Sequence, residues 1–343
     1  MRSAWDPDKE EYAELLSEYP SFRLDQLWNG LYQEAKPISD ISVLPNAIRT
    51  QLAETIGNGL TVSQIQESEN SDTIKWLWNL NDGKQIETVL MHYDKRSTVC
   101  VSSQAGCAMG CGFCATGQAG YERHLSVGEI CEQVAMAQAA AASAGRRVTN
   151  IVFMGMGEPL ANYKNVVGAI KRLNTDFGIG ARNIVVSTVG LVPQIKKLAT
   201  EGIQFSLAIS IHSANDADRD VLVPINKRHN LADLVDAGKY FFDKTGRRIS
   251  IEWAMMADAN DTDKDANELA AIAKQMNAHV NLIPLNPTPG WPTVGSSADK
   301  IDHFVRILKN SGVNVTVRKN RGTDIDAACG QLRATSVDIT KQS

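Results

Sequence analysis

From Thr98 onward the chain alternates short apolar runs with amphipathic stretches, and this alternation constrains the fold more than any other feature. Strand-like runs occupy 98–102, 150–154, 183–188, 205–212, 249–254 and 279–284. Helical periodicity fills 127–144, 163–173, 192–199, 231–244, 264–275 and 300–310. Strands that alternate with helices form a parallel sheet with crossover helices. Six such units predict an α/β fold, an open or partial (β/α) barrel. Ser126-x-x-Glu129 predicts a capping box at the start of the first crossover helix. A further strand is expected at 313–317, followed by a functional loop. Upstream, Asn81-Asp82-Gly83 predicts a hairpin between strands 75–80 and 85–93.

The first 75 residues read differently. Tyr12, Leu15, Leu16 and Tyr19 sit at helical spacing, and Leu24, Leu27, Trp28 and Leu31 repeat the pattern. Pro20, Pro37 and Pro45 divide this part into three short helices. A polar stretch at 67–73 marks the expected boundary. Residues 1–75 are therefore expected to be a small helical accessory domain, and 76–343 the main domain. The N-terminal part holds 6 Lys and Arg against 13 Asp and Glu, a net −7, which leaves +3 for the rest. The overall charge of −4 gives no support for nucleic-acid binding. Any RNA would have to meet local basic groups, because phosphates need neutralising there. The candidates are Arg123-His124, Arg146-Arg147, Lys227-Arg228-His229, Arg247-Arg248 and Arg318-Lys319-x-Arg321. No apolar run is long enough for a membrane helix. The acidic start MRSAWDPDKEEY lacks a signal-peptide core. A cytoplasmic protein is expected, and in that reducing setting cysteines serve more often as ligands or catalysts than as structural bridges.

Cysteine spacing carries the chemistry. Cys107-x-x-x-Cys111-x-x-Cys114 follows directly on the first strand of the alternating region. With 6 cysteines in 343 residues, such a triplet arises by chance roughly 0.002 times per chain. Thiolates select iron–sulfur or zinc. A structural zinc site wants four ligands, and a usual cubane also wants four cysteines. Three leave one iron open to chelate the amino and carboxylate groups of S-adenosylmethionine. The alternative is a zinc knuckle with a distant fourth ligand such as His124. Gly155-Met-Gly157-Glu158-Pro is a glycine-rich turn at the next strand end, where backbone can approach a ligand. Glu158 could accept from an ammonium group. Ser187, Ser210-Ile211-His212 and Asn286 fall at the following strand ends, on one rim if the strands are parallel. Polar groups there could bind ribose, carboxylate and adenine, although each alone is more often a cap or strand-end hydrogen bond than a ligand. Cys329, before Gly330 in a loop of small residues, is suited to exposure and reactivity. Cys100 is its natural partner, and Cys131 reads as packing on a helix.

These motifs resemble the radical S-adenosylmethionine (radical SAM) superfamily, in which a 4Fe-4S cluster cleaves S-adenosylmethionine to a deoxyadenosyl radical. The segments Val99–Cys107, GMGEPLANY, SLAISIHSAN, HVNLIPLNP and DIDAACGQL resemble, more specifically, the RlmN family of RNA adenine carbon-2 methyltransferases. The resemblance runs from about Ile86 to Asp338. It implies methylation of carbon 2 of an adenosine in 23S rRNA and in certain tRNAs, with two S-adenosylmethionine molecules per turnover. It implies that Cys329 carries the methyl group as S-methylcysteine, that Cys100 resolves the adduct through a transient disulfide, and that Glu87 accepts the carbon-2 proton. It also implies Cys107, Cys111 and Cys114 as cluster ligands. Gly157, Glu158, Ser187, Ser210, Ile211, His212 and Asn286 would then contact S-adenosylmethionine. An external electron donor and a monomeric, membrane-free enzyme complete the expectation. The related carbon-8 methyltransferases share the cysteines, so the cysteines cannot separate the two. Other classes kept open are a glycyl-radical activase and a zinc-knuckle RNA-binding module.

Overall fold

In a computed structural model, which describes residues 2–288 and 292–333, the chain opens with a two-residue strand β1 (Arg2–Ser3) and three helices, α1 (Lys9–Leu15), α2 (Phe22–Tyr32) and α3 (Asn46–Ala53). Strand β2 (Ile56–Gly57) returns to pair in parallel with β1. An antiparallel meander follows: β3 (Leu60–Glu67), β4 (Thr73–Leu80) and β5 (Gln85–His92), leading to β6 (Ser97–Cys100). A small hairpin, β7 (Gln104–Gly106) with β8 (Tyr121–His124), brackets the cysteine loop and its one-turn helix α4 (Ala115–Ala119).

The alternating region begins with α5 (Val127–Ser143), β9 (Val148–Phe153), α6 (Tyr163–Thr175), β10 (Ile184–Thr188), α7 (Val192–Leu198) and β11 (Ser206–Ser210). It continues with α8 (Asp216–Leu222), α9 (Leu231–Thr245), β12 (Ser250–Met255), α10 (Asp263–Gln275), β13 (His279–Pro284), α11 (Ala298–Asn310) and β14 (Val315–Val317). The expected capping box is formed: Ser126 Oγ accepts from Glu129 N at 3.1 Å and Glu129 Oε2 from Ser126 N at 2.9 Å.

The main sheet has ten strands in the order β14-β13-β12-β11-β10-β9-β6-β5-β4-β3. Strands β6 and β9 to β14 are mutually parallel, and β5, β4 and β3 extend the sheet antiparallel. The sheet is open, with β14 and β3 at its edges, so the expected α/β architecture is present as a partial barrel that does not close. All seven parallel strands end on one rim, the edge at which open α/β sheets bind ligands.

One segment departs from the sequence reading. Residues 60–67 were expected in the helical N-terminal part, yet they form edge strand β3 of the main sheet. The polar stretch expected as a domain boundary is instead the β3–β4 turn, closed by Ser68 Oγ, which accepts from Thr73 N at 3.1 Å. An edge strand with one solvated face needs few apolar residues, so its period-2 pattern is faint in sequence. The N-terminal helices share the main hydrophobic core. Buried Glu132 of α5 joins them to the sheet, accepting from Ser3 Oγ at 2.7 Å and Gly59 N at 2.8 Å. No helix among the described residues is long and apolar enough to cross a membrane. Residues 334–338, at the end of the family resemblance, lie outside the described residues.

Candidate active site

The three-cysteine loop leaves the sheet at β6 and is pinched at its base. Cys107 N donates to Gly120 O at 2.7 Å, and Gly106 adopts φ 71°. A Cβ at Gly106 would stand 2.0 Å from Gly120 O, so only glycine permits this closure. Cys107, Cys111 and Cys114 line one cavity of about 170 Å³. Burial pushes the thiols of Cys107 and Cys111 up, Cys107 to about 12, and that of Cys114 in the same direction. A desolvated thiol of this kind becomes a thiolate when a metal takes its charge.

These residues fit a cluster better than a single ion. Cys107, Cys111 and Cys114 bring three thiols to one cavity that is also bordered by the polar rim residues, a donor set suited to a cluster that keeps one position open for a further ligand. His124, the fourth ligand of a zinc knuckle, faces Gln104 through Nδ1 at 3.0 Å and packs edge-on to Tyr121. It does not line the cavity.

The same cavity collects most of the other expected residues. Gly157, Glu158, Ser187, Ser210, His212, Asn286 and Cys329 all border it. Gly157 holds φ 98°, and a Cβ there would come within 2.5 Å of the Gln104 side chain. That close approach lets Gln104 Oε1 accept from Glu158 N at 2.7 Å. The buried Glu158 carboxylate is rigidly placed: it accepts from Leu160 N and Val189 N, each at 2.9 Å. Burial raises its pKa to about 7 against the pull of these two donors. His212 sits in the left-handed region at φ 60°. Its Nδ1 accepts from Ala254 N at 3.0 Å, which assigns the proton to Nε2. Burial, with the nearby Arg219 charge, drops its pKa to about 3, so it is a neutral donor and not a base. Ile211 is the exception. Its side chain is fully buried away from the cavity, and only its backbone joins the rim, with N donating to Glu252 O at 3.1 Å.

Cys329 is exposed on a loop that docks against the cluster loop. Ala115 N donates to Gly330 O at 2.8 Å and Thr116 Oγ1 to Leu332 O at 2.5 Å. Asn286 Nδ2 donates to Cys329 O at 3.1 Å. Cys100, at the end of β6, lies outside the first cavity but shares a smaller, adjoining one with Cys329. Burial lifts its thiol to about 12. The Cys329 sulfur adds to that rise and Arg318 opposes it.

Glu87 does not line the cavity. It lies on β5, and the register that pairs Val89 with Cys100 puts Glu87, Val89 and Cys100 on one face of the sheet. Its carboxylate is buried, 3.3 Å from Lys75 Nζ, and accepts from Arg333 N at 2.9 Å. Cys131 is fully buried within α5, as a packing residue is.

Sequence reasoning missed Glu252 and Arg219, and it named Arg318 only as a candidate RNA contact, not as a cavity residue. Glu252 of β12 accepts from Asn281 Nδ2 at 2.9 Å and lies 3.4 Å from Arg318 Nη1. Arg318 borders both cavities, and the Cys329 sulfur is the leading cause that holds its guanidinium protonated. Arg219 is fully buried behind the rim. An acid inside the apolar run Ser250–Met255 was the one available signal.

The description "Radical SAM superfamily" matches residues 101–273. A "Probable dual-specificity RNA methyltransferase RlmN" from Corynebacterium efficiens is 47% identical over 96% of this chain and 92% of its own length. The chain belongs to the RlmN family. A "Ribosomal RNA large subunit methyltransferase N" from Nitrosopumilus maritimus is 44% identical over 92% of this chain and 93% of that one. The crystal structure of a radical SAM methyltransferase from Sphaerobacter thermophilus superposes with TM-score 0.95, at 43% identity, over 98% of this chain and all of that one. Membership makes the chain a radical SAM methyltransferase that uses a 4Fe-4S cluster and S-adenosylmethionine.

Proposed function

We propose that the enzyme methylates carbon 2 of an adenosine in 23S rRNA and in certain tRNAs, in the cytoplasm, with Cys329 carrying the methyl group as S-methylcysteine. One observation carries this reading: Cys329 and the three cluster cysteines border the same cavity, and Cys100 adjoins Cys329 in the next. A 4Fe-4S cluster with S-adenosylmethionine, two molecules per turnover, supplies the radical chemistry that an unreactive sp² carbon requires.

The chain's own residues do the rest. Cys107, Cys111 and Cys114 hold the cluster. Glu158, fixed by two backbone donors, keeps lone pairs free for an ammonium group. His212 offers an N–H, and Gly157, Ser187, Ser210, the Ile211 backbone and Asn286 shape the pocket. Cys329, reachable from the surface, receives the methyl group; once the radical chemistry supplied by the bound cofactor has taken one hydrogen from it, its carbon bonds to adenine carbon 2, and one electron is given up as the carbon-2 proton leaves. Glu87 accepts the proton from carbon 2. The Cys329 loop must shift for this, because Glu87 now binds Arg333 N behind it. Cys100 then attacks the Cys329 sulfur, the carbon–sulfur bond breaks, and the methylated RNA leaves. The resulting disulfide is reset by an external electron donor. The enzyme acts as a monomer, with the N-terminal helices α1 to α3 as an accessory unit packed on the catalytic part.

The test is nucleoside mass spectrometry on unmodified rRNA and tRNA, incubated with anaerobically reconstituted enzyme, reductant and S-adenosylmethionine. We expect 2-methyladenosine from the wild type and none from Cys329→Ala. Formation of 8-methyladenosine would move the chain to the sister chemistry. Retained methylation in Cys329→Ala would refute the role of that cysteine.

A further inference from the structure

The small cavity that joins Cys100 to Cys329 is bordered on its other side by Tyr93, Lys319 and Arg321. Two guanidinium groups pack on the Tyr93 ring, Arg96 at 4.6 Å and Arg321 at 4.3 Å from its centroid. Arg146 Nη1 fixes the same residue from behind, donating to Tyr93 O at 2.8 Å. Arg321 is itself anchored, paired with Asp72 and donating to His92 O at 3.1 Å. Stacked cations on an aromatic face lose little entropy when they bind, because the guanidinium planes are already oriented.

Charge at this mouth is unbalanced. Asp72 is committed to Arg321, and Asp324 to Glu69 N at 2.9 Å. Asp326 Oδ1 accepts from Gln331. Among the described residues, Arg96 and Lys319 are exposed with no carboxylate in ion-pair range; Asp94 is the acid nearest to Arg96 in sequence, beside Lys95. The other basic groups of the sequence are partly used up. Arg123 is paired with Glu129 and Asp82, and Arg247 Nη2 donates to Ser206 Oγ at 2.9 Å.

We propose that Arg96 and Lys319, arrayed around the Tyr93–Arg321 stack, bind the RNA phosphates that flank the target adenosine, placing its base at Cys329. The inference rests on the function proposed above and names the surface by which that substrate is held. A base that enters the Cys329 cavity must leave its stack. The backbone on either side then crosses the cavity mouth, where these two free cations stand.

Each phosphate contact contributes a slope of about 0.7–0.9 to log K against log salt. Losing one contact therefore weakens binding about fivefold at ~0.15 M salt, on extrapolation from 1 M. The experiment measures fluorescence anisotropy of an unmodified tRNA transcript with the reconstituted holoenzyme at four salt concentrations. Variants are Lys319→Gln, Arg96→Gln, the double variant, and, as a control, Lys274→Gln, which is exposed at the end of α10 where the chain enters β13, at the opposite end of the strands from the rim. We expect each single variant to bind about fivefold more weakly with a slope lower by about one, the double variant by about two, and the control unchanged. Both positions are exposed, and cluster absorbance checks that each variant is folded and loaded. Wild-type slope and affinity in the single and double variants would overturn this inference and leave the function standing. A wild-type enzyme that neither binds nor methylates RNA would overturn the function itself.

Discussion

Arg219 offers the sharpest test of how the rim is held. It is fully buried, with no carboxylate in ion-pair range among the described residues. Burial lowers its pKa only to about 10, so it stays charged at neutral pH. Nε donates to Ile211 O at 3.0 Å and Nη1 to Asn226 Oδ1 at 2.7 Å. Nη2 donates to Val189 O at 2.7 Å and to Ser210 O at 3.2 Å. One guanidinium thus ties the loop after β10 to the loop after β11, and both loops border the cavity. Replacing it with Met strands three backbone carbonyls and one amide oxygen, each costing about 1–3 kcal/mol when buried without a partner. Removing an unpaired buried charge returns part of that sum. The net expected loss is about 3 kcal/mol, confined to these loops. Hydrogen exchange reads it directly: 3 kcal/mol corresponds to about 150-fold faster exchange. The affected amides should be Val189, Gly190 and Ile211, which now donate to Glu158, Thr188 and Glu252. Arg219→Lys, with donors at one point only, should lie between. Unchanged exchange at these amides in Arg219→Met would refute the assignment of Arg219 as the brace of the rim.

Two further outcomes follow from particular residues. Glu132 is raised to about 7 by burial, above the carboxyl value near 4.5 of the unfolded chain. The folded state then keeps a proton that the unfolded state releases, so stability falls as pH rises from about 4.5 to 7, by up to about 1.4 kcal/mol per pH unit. Glu132→Gln should flatten denaturant midpoints across that window, and an unaltered pH profile would contradict it. Gly106→Ala should drive a Cβ into Gly120 O and spread the base of the cysteine loop. Iron content after reconstitution should drop severalfold while secondary structure by circular dichroism holds; full iron loading would show that the closure is not needed.

Most of the parallel sheet was legible because each crossover unit repeats the same two periodicities, and a strand buried on both faces reads as an apolar run. The cysteine loop was legible because its ligands are local in sequence. Ser210 and Asn286 reached the cavity because parallel strands put every C-terminal end on one rim. What failed to show had a different physical origin. Strand β3 hid because a solvated edge needs little apolar character. Glu252 hid, and Arg318 read only as a surface cation, because their partners lie far away in sequence: Arg318 meets Glu252 across 66 residues and Met154 across 164. Arg219 hid because its partners are carbonyl and amide oxygens that no sequence pattern marks. Charged side chains of this kind look like surface until the fold buries them. Ile211 erred in the opposite sense. Its neighbours face the cavity, so by strand alternation its own side chain must face away.

The two reactive loops are not independent pieces of the rim. Residues 113–116 of the cysteine loop exchange hydrogen bonds with two separate segments: Thr288 Oγ1 reaches Phe113 O at 3.1 Å, while Ala115 N reaches Gly330 O and Thr116 Oγ1 reaches Leu332 O on the Cys329 loop. Asn286, in turn, bonds both Cys329 O and Asn320 Nδ2. The loop after β13 therefore spans from the cluster ligands to the Cys329 carbonyl. Bonds to the carbonyls of Cys329, Gly330 and Leu332 fix the backbone at and after Cys329, so its sulfur moves chiefly by rotation about Cα–Cβ. Cys329 borders two cavities, one lined by Cys107, Cys111 and Cys114 and the other by Cys100. Reaching Glu87 is a larger move, since its carboxylate is occupied by Arg333 N and Lys75. Under the function proposed above, proton removal by Glu87 is the step that demands displacement of the Cys329 loop.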